Sequence, residues 1–138
     1  MSRSIEWRHD NRRLVIPVII IEPGPIIGFS GYRGTALVDT GSTTSAVTPR
    51  VVKALTLQQL GKRPLGSAQG EGQAERYLFR IAFDTPDSTV PEFPFLFEEV
   101  IGFELTDSFQ FDALIGMDIL RQCDLLIRRD GFCRLSFG

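Results

Sequence analysis

Asp39 is the residue whose setting asks for a chemical explanation. It ends an apolar run in Ala36-Leu37-Val38-Asp39-Thr40-Gly41-Ser42-Thr43, and the Asp-Thr-Gly tripeptide occurs once in the 138 residues. A carboxylate at the end of a buried strand costs free energy unless hydrogen bonds or a partner compensate it. The residues after it suit a chemical role. Gly41 lets the backbone turn sharply and bring N–H donors to the carboxylate. Thr40 can hydrogen-bond across a symmetric interface, and the Ser42 hydroxyl can reach the outer carboxylate oxygen. Asp and Gly are also common turn residues, so the tripeptide alone fits a plain turn. The chain looks too short for a second, matching site, so a mechanism that uses two such aspartates requires two copies.

Other chemistries find little support. The chain has one histidine, His9, with no metal or catalytic cluster around it, so a surface or chain-end role is expected. Its two cysteines, Cys123 and Cys133, flank Leu125 to Phe132, which reads as a hairpin turning at Asp130-Gly131. A two-residue turn there sets Cys133 opposite Arg128 and keeps the sulfurs apart, so free structural thiols are expected. Ser–His and Cys–His catalysis are therefore poorly served. Gly28, Gly31 and Gly34 are spaced G-x-x-G-x-x-G, which is not the dinucleotide fingerprint. Carboxylate chemistry remains, and it calls for no metal and no cofactor.

Charge and hydropathy exclude further classes. Fifteen basic and seventeen acidic residues give a net charge of -2. Arg3, Arg8, Arg12 and Arg13 are interleaved with Glu6 and Asp10, so no one-sided basic face for nucleic acid emerges. The longest apolar run, Leu14 to Ile21, holds eight residues including Pro17 and is too short to span a bilayer. Glu22-Pro23-Gly24-Pro25 after it reads as a turn, not a leader cleavage site, which favours the cytoplasm.

The elements that must position Asp39 are mostly strands. Leu14 to Ile21 and Thr35 to Val38 read as strands. Arg76 to Phe83 places Tyr77, Phe79, Ile81 and Phe83 on one side, the period of a half-buried strand. Phe93, Phe95 and Phe97 alternate likewise, with Pro94 suggesting an edge. Thr48 can cap a helix from Pro49 to Leu55, and Met117 to Gln122 can form a second. The pattern predicts one all-β domain over 1–138, a small β-barrel or sandwich with two short helices.

Two further segments complete the picture. In Asp112-Ala113-Leu114-Ile115-Gly116-Met117-Asp118-Ile119-Leu120, an apolar pair, a glycine and a short helix would make a loop packed under the Asp39 turn. The glycine-rich stretch Gly66 to Ala74 would be a hairpin, either a plain surface loop or a flap closing over an extended ligand.

From about Leu14 to Phe137, this order of motifs resembles the retropepsin-like aspartic proteases of the single-domain, bacterial kind. The resemblance implies an aspartic endopeptidase of acid-protease fold, a small closed β-barrel with one or two short helices and a flap hairpin. It would work as a homodimer on a peptide or protein substrate, each copy giving one catalytic aspartate, here Asp39. It implies that Thr40 locks the two active-site loops together and that Gly41 is the turn glycine beside Ser42. Leu37 would line the central pockets, and Ser67, Ala68, Gln69, Gly70, Glu71 and Gly72 would cover the substrate. Leu114, Ile115 and Gly116 would form the supporting loop.

Retroviral members usually carry Ala after Asp-Thr-Gly, then an acid that pairs with an Arg beside the later glycine. Here those positions hold Ser42, Thr43 and Met117, so the ion pair is missing at both ends and no charge is stranded. A Ser42 donor on the carboxylate would favour its ionised form and an acidic optimum. The alternative is a non-catalytic peptide-binding or dimerisation module of the same fold. Mass in solution discriminates between them, because a strict monomer cannot assemble two aspartates.

Overall fold

The computed structural model describes residues 3–24, 31–67, 70–84 and 96–138. The strands are β1 (Arg3–Arg8), β2 (Val15–Ile21), β3 (Tyr32–Val38), β4 (Ala46–Val47), β5 (Gln58–Ser67), β6 (Gly70–Phe83), β7 (Leu96–Glu104), β8 (Ala113–Ile115), β9 (Asp124–Ile127) and β10 (Phe132–Phe137). Two short helices, α1 (Pro49–Leu55) and α2 (Met117–Leu120), interrupt them.

Among the described residues the strands form two sheets. One has three strands in the order β1-β10-β9, and the other has seven in the order β2-β3-β8-β4-β7-β6-β5. The larger sheet is mixed, because β3–β8 and β4–β7 pair in parallel while the other neighbours are antiparallel. The expected small closed barrel is not what forms. β2 pairs with β6 only at Arg80 to Phe83, while β5 takes residues 70–78 of β6. The sheet forks at that edge and does not close into a barrel, and β5 remains an outer strand.

Burial follows from this layout. β2 is buried from Val18 to Ile21 because β3 and β6 flank it on both edges. Pro17 lacks an N–H, and its carbonyl accepts from Asp84 N at 3.0 Å just past the end of β6. The missing donor therefore falls where the β6 ladder stops. On β6, Tyr77, Phe79, Ile81 and Phe83 are all buried, but so are Arg80 and Ala82, since β2 and β7 enclose that end. Arg80 satisfies its guanidinium on the Glu22 carbonyl, with Nε at 3.1 Å and Nη2 at 2.6 Å.

Phe137 joins the small sheet to the large one. Its ring lies edge-on to Phe83 at 4.9 Å, and Phe83 meets Phe97 at 5.4 Å. The expected Phe alternation before Phe97 falls on Phe93, Pro94 and Phe95, which lie outside the described residues.

Two local expectations are corrected. Thr48 precedes α1, but its side chain makes no cap; its hydroxyl donates to the Asp112 carbonyl at 3.2 Å. The β9–β10 turn is wider than two residues. Arg128 N–H donates to Phe132 O, Gly131 N–H donates to Arg128 O, and Gly131 has φ +100°. That glycine conformation is the usual end of a three-residue hairpin loop. Cys133 consequently faces Ile127, not Arg128, and both cysteines are free.

Candidate active site

The parallel pairing of β3 with β8 brings the two distant motifs together. Val38 lies opposite Ile115, so both strands run out at the same level. Asp39 N–H then donates to the Ile115 carbonyl at 2.9 Å. The Asp39 carboxylate is half-buried, and its Oδ1 accepts from Gly41 N–H at 2.9 Å. Ser42 N–H donates to Asp39 O at 3.2 Å and closes the turn. Gly41 does not occupy the left-handed region. A Cβ there would come within 3.2 Å of Asp39 Oδ1, so the glycine supplies room beside the carboxylate.

The expected Ser42 bond to the carboxylate is absent. Ser42 Oγ donates to Thr44 O at 2.7 Å, which engages its single proton within its own loop. Thr40 is exposed and makes no hydrogen bond among the described residues.

A second clasp holds the turn from below. Met117 N–H donates to Ser42 O at 2.8 Å, and Gly116 N–H donates to Ser45 Oγ at 3.0 Å. Ser45 in turn donates its N–H to Asp118 Oδ2 at 3.0 Å and its hydroxyl to Asp118 Oδ1 at 2.7 Å. Gly116 itself is buried, and a Cβ on it would meet Thr44 backbone atoms at 2.6 Å. Leu114 is half-buried beside it and Ile115 is fully buried.

Asp112 anchors the other end of β8. It accepts from Thr35 N–H at 2.9 Å, Arg50 Nε at 2.9 Å and the Tyr32 hydroxyl at 3.2 Å. Burial and then the Asp112 charge push the Tyr32 phenol above its ordinary value. The hydrogen bond to Asp112 likewise raises Arg50. Arg50 also reaches the carbonyls of Phe109 and Phe111, so this cluster is occupied by the fold.

Leu37, Val38 and Asp39 line a cleft of about 510 Å³ together with Leu14 and the chain segment carrying His9, Asn11, Arg12 and Arg13. Leu37 thus shares the cleft with Asp39. The arms of the proposed flap are the ends of β5 and β6, with Ser67 paired to Gly70, Gly66 to Glu71 and Leu65 to Gly72. Ala68 and Gln69 lie outside the described residues. Gly72 is exposed and does not line the cleft.

Sequence reasoning missed Ser45, Asp118 and the His9–Arg13 wall. Asp118 stood in view inside the Gly-Met-Asp run, where an acid facing two loop donors could have been suspected. His9 is tied into the wall: its Nδ1 accepts from Asn11 N–H at 3.0 Å, which leaves the proton on Nε2 facing Arg128 O at 3.3 Å.

Similar folds are known. A retropepsin-like aspartic protease from Rickettsia conorii superposes with a TM-score of 0.65 at 15% identity, over 99% of this chain and 93% of that one. The EIAV protease complexed with the inhibitor HBY-793 superposes with a TM-score of 0.52 at 17% identity, over 81% and 88%. The fold is therefore that of a retropepsin-like aspartic protease. The aspartyl protease family model matches residues 27–119, and the chain belongs to that family. No curated protein matches it by sequence.

Proposed function

We propose that the protein is an aspartic endopeptidase that acts as a homodimer, with one Asp39 from each copy facing the other across a two-fold axis. The observation that carries this reading is the Asp39 turn. A half-buried carboxylate is held by Gly41 N–H at the edge of a cleft, with an unengaged Thr40 hydroxyl beside it. The family membership and the single Asp-Thr-Gly per chain agree with it.

Two carboxylates in contact cannot easily both be charged, so the pair holds one proton between them; the aspartic-protease dyad is the standard example of that rule. The ionised member takes a proton from a water between them, and the water oxygen attacks the scissile carbonyl carbon. The protonated member donates to the carbonyl oxygen as it becomes an alcohol. When the C–N bond breaks, the electron pair leaves with nitrogen, which collects a proton from the member that took one from water. A hydroxyl of the tetrahedral carbon returns its proton to the other member as the carbonyl re-forms. Extended substrate would bind by backbone pairing to strand edges, with apolar side chains favoured by Leu14, Leu37 and Val38 in the cleft. An acidic optimum now rests on the shared proton alone, since Ser42 does not donate to Asp39.

Mixing subunits tests the reading. Wild type is expected to digest peptides with a specific activity that rises with protein concentration, and excess Asp39→Asn is expected to suppress it by forming mixed dimers. Equal digestion by wild type and Asp39→Asn, or no digestion by wild type at any concentration between acidic and neutral pH, overturns it.

A further inference from the structure

The wall of the Asp39 cleft is basic on one side. His9, Arg12 and Arg13 line it, and Asp39 is the only acid among the described lining residues. The two arginines differ in what they are free to do. Arg13 donates to Gln110 Oε1 at 2.7 Å, approaches Asp10 Oδ2 at 3.8 Å and lies 5.2 Å over the Phe111 ring, with only its Nε unpartnered. Its guanidinium serves the wall. Arg12 is exposed, and its guanidinium has no hydrogen bond or ion pair among the described residues. The neighbouring Asp10 does not neutralise Arg12 by direct pairing, because Asp10 Oδ1 accepts the backbone N–H groups of Arg12 and Arg13 at 2.9 and 2.7 Å. Those two bonds also fix the backbone from which the Arg12 side chain projects.

An unpaired guanidinium beside a reacting centre selects for a planar anion, because its fork of donors matches a carboxylate in two parallel bonds. The other walls, Leu14, Leu37 and Val38, are apolar. Together they define a mixed subsite, apolar at Leu14, Leu37 and Val38 and cationic at Arg12.

We propose that Arg12 is a specificity residue that favours substrates with a Glu or Asp side chain close to the cut, flanked by apolar residues that suit Leu14, Leu37 and Val38. The proposal rests on the protease reading and deepens it. It places no role in the chemistry on Arg12.

The test uses the full chain and two families of peptides with an identical apolar centre, one carrying Glu and one Gln at each flanking position in turn. At one position, wild type is expected to show a kcat/KM for Glu over Gln of about three- to tenfold, fading as salt is raised. Arg12→Gln is expected to bring that ratio to unity, Arg12→Lys to keep part of it, and Arg12→Glu to reverse it in favour of a Lys peptide. A wild-type ratio of one at every position, or a ratio unchanged in Arg12→Gln, overturns the proposal. Binding of the same peptides to Asp39→Asn, read by calorimetry, separates the two readings. Equal binding of Glu and Gln peptides there overturns the Arg12 subsite. A Glu preference in binding, with no turnover by wild type, supports the subsite and overturns only the protease.

Discussion

The amide of Asp39 donates to the carbonyl of Ile115 at 2.9 Å, so the single candidate catalytic residue is tied to a strand far along the chain. The next residue, Gly116, fills the remaining space. Its position is a matter of distance, since its φ of -99° is open to any residue while a Cβ would lie 2.6 Å from Thr44 C and O.

Gly116→Ala is therefore expected to force the Thr44 backbone away from α2. The expected loss is about 2 kcal/mol by urea unfolding, in the range of overpacked cores. Peptidase activity should fall further than stability alone explains, because the displaced loop carries Asp39. Unchanged unfolding and activity would show that the loop yields freely.

Ser45→Ala removes the hydroxyl that accepts from Gly116 N–H and donates to Asp118 Oδ1. The site is fully buried, so the stranded groups should cost about 1–3 kcal/mol. Asp118→Asn keeps the volume but replaces one acceptor by a donor, and a comparable loss is expected. A double-mutant cycle reads the coupling, and additive losses would show that the two residues act independently.

The cleft wall should withstand acid. Hydrogen bonds from the amides of Arg13 and Arg12 hold the Asp10 carboxyl below its ordinary value of 3.8. A group whose value is lowered by folding stabilises the fold above its unfolded value and loses that contribution as pH falls through the folded one. The Arg12 and Arg13 amide signals in NMR should then titrate with a midpoint below 3.8. A midpoint above 3.8 contradicts this.

Cys123 should be a poor nucleophile. Burial, reinforced by the Asp124 charge, pushes its thiol up to about 11. At pH 8 the thiolate is then roughly a thousandth of the total, and alkylation should be slow until the protein unfolds. Rapid stoichiometric labelling of native protein at pH 8 would overturn the expectation.

Much of the site was legible because its signals are local. Asp39 and Gly41 lie within one turn, and the alternation from Tyr77 to Phe83 needs only a strand with one wet face. What stayed hidden depends on partners distant in sequence. Ser42 could be foreseen as a donor, but not that Thr44 O would take its proton. Arg80 and Ala82 looked exposed by period, and only the arrival of β2 and β7 buries them. The closed barrel failed for the same reason, since nothing in β6 says that its edge is shared between β5 and β2.

The segment bearing Arg12 leaves β1, and β1 lies along β10 from Arg3 to Arg8. Arg8 Nη1 donates to Asp130 O at 2.8 Å and His9 N–H donates to Gly131 O at 3.0 Å, which fastens that segment to the β9–β10 turn. The β9–β10 turn thus braces the cleft wall from outside. A protease cut after His9 would part the Arg12 segment from the residues that fasten it to the β9–β10 turn.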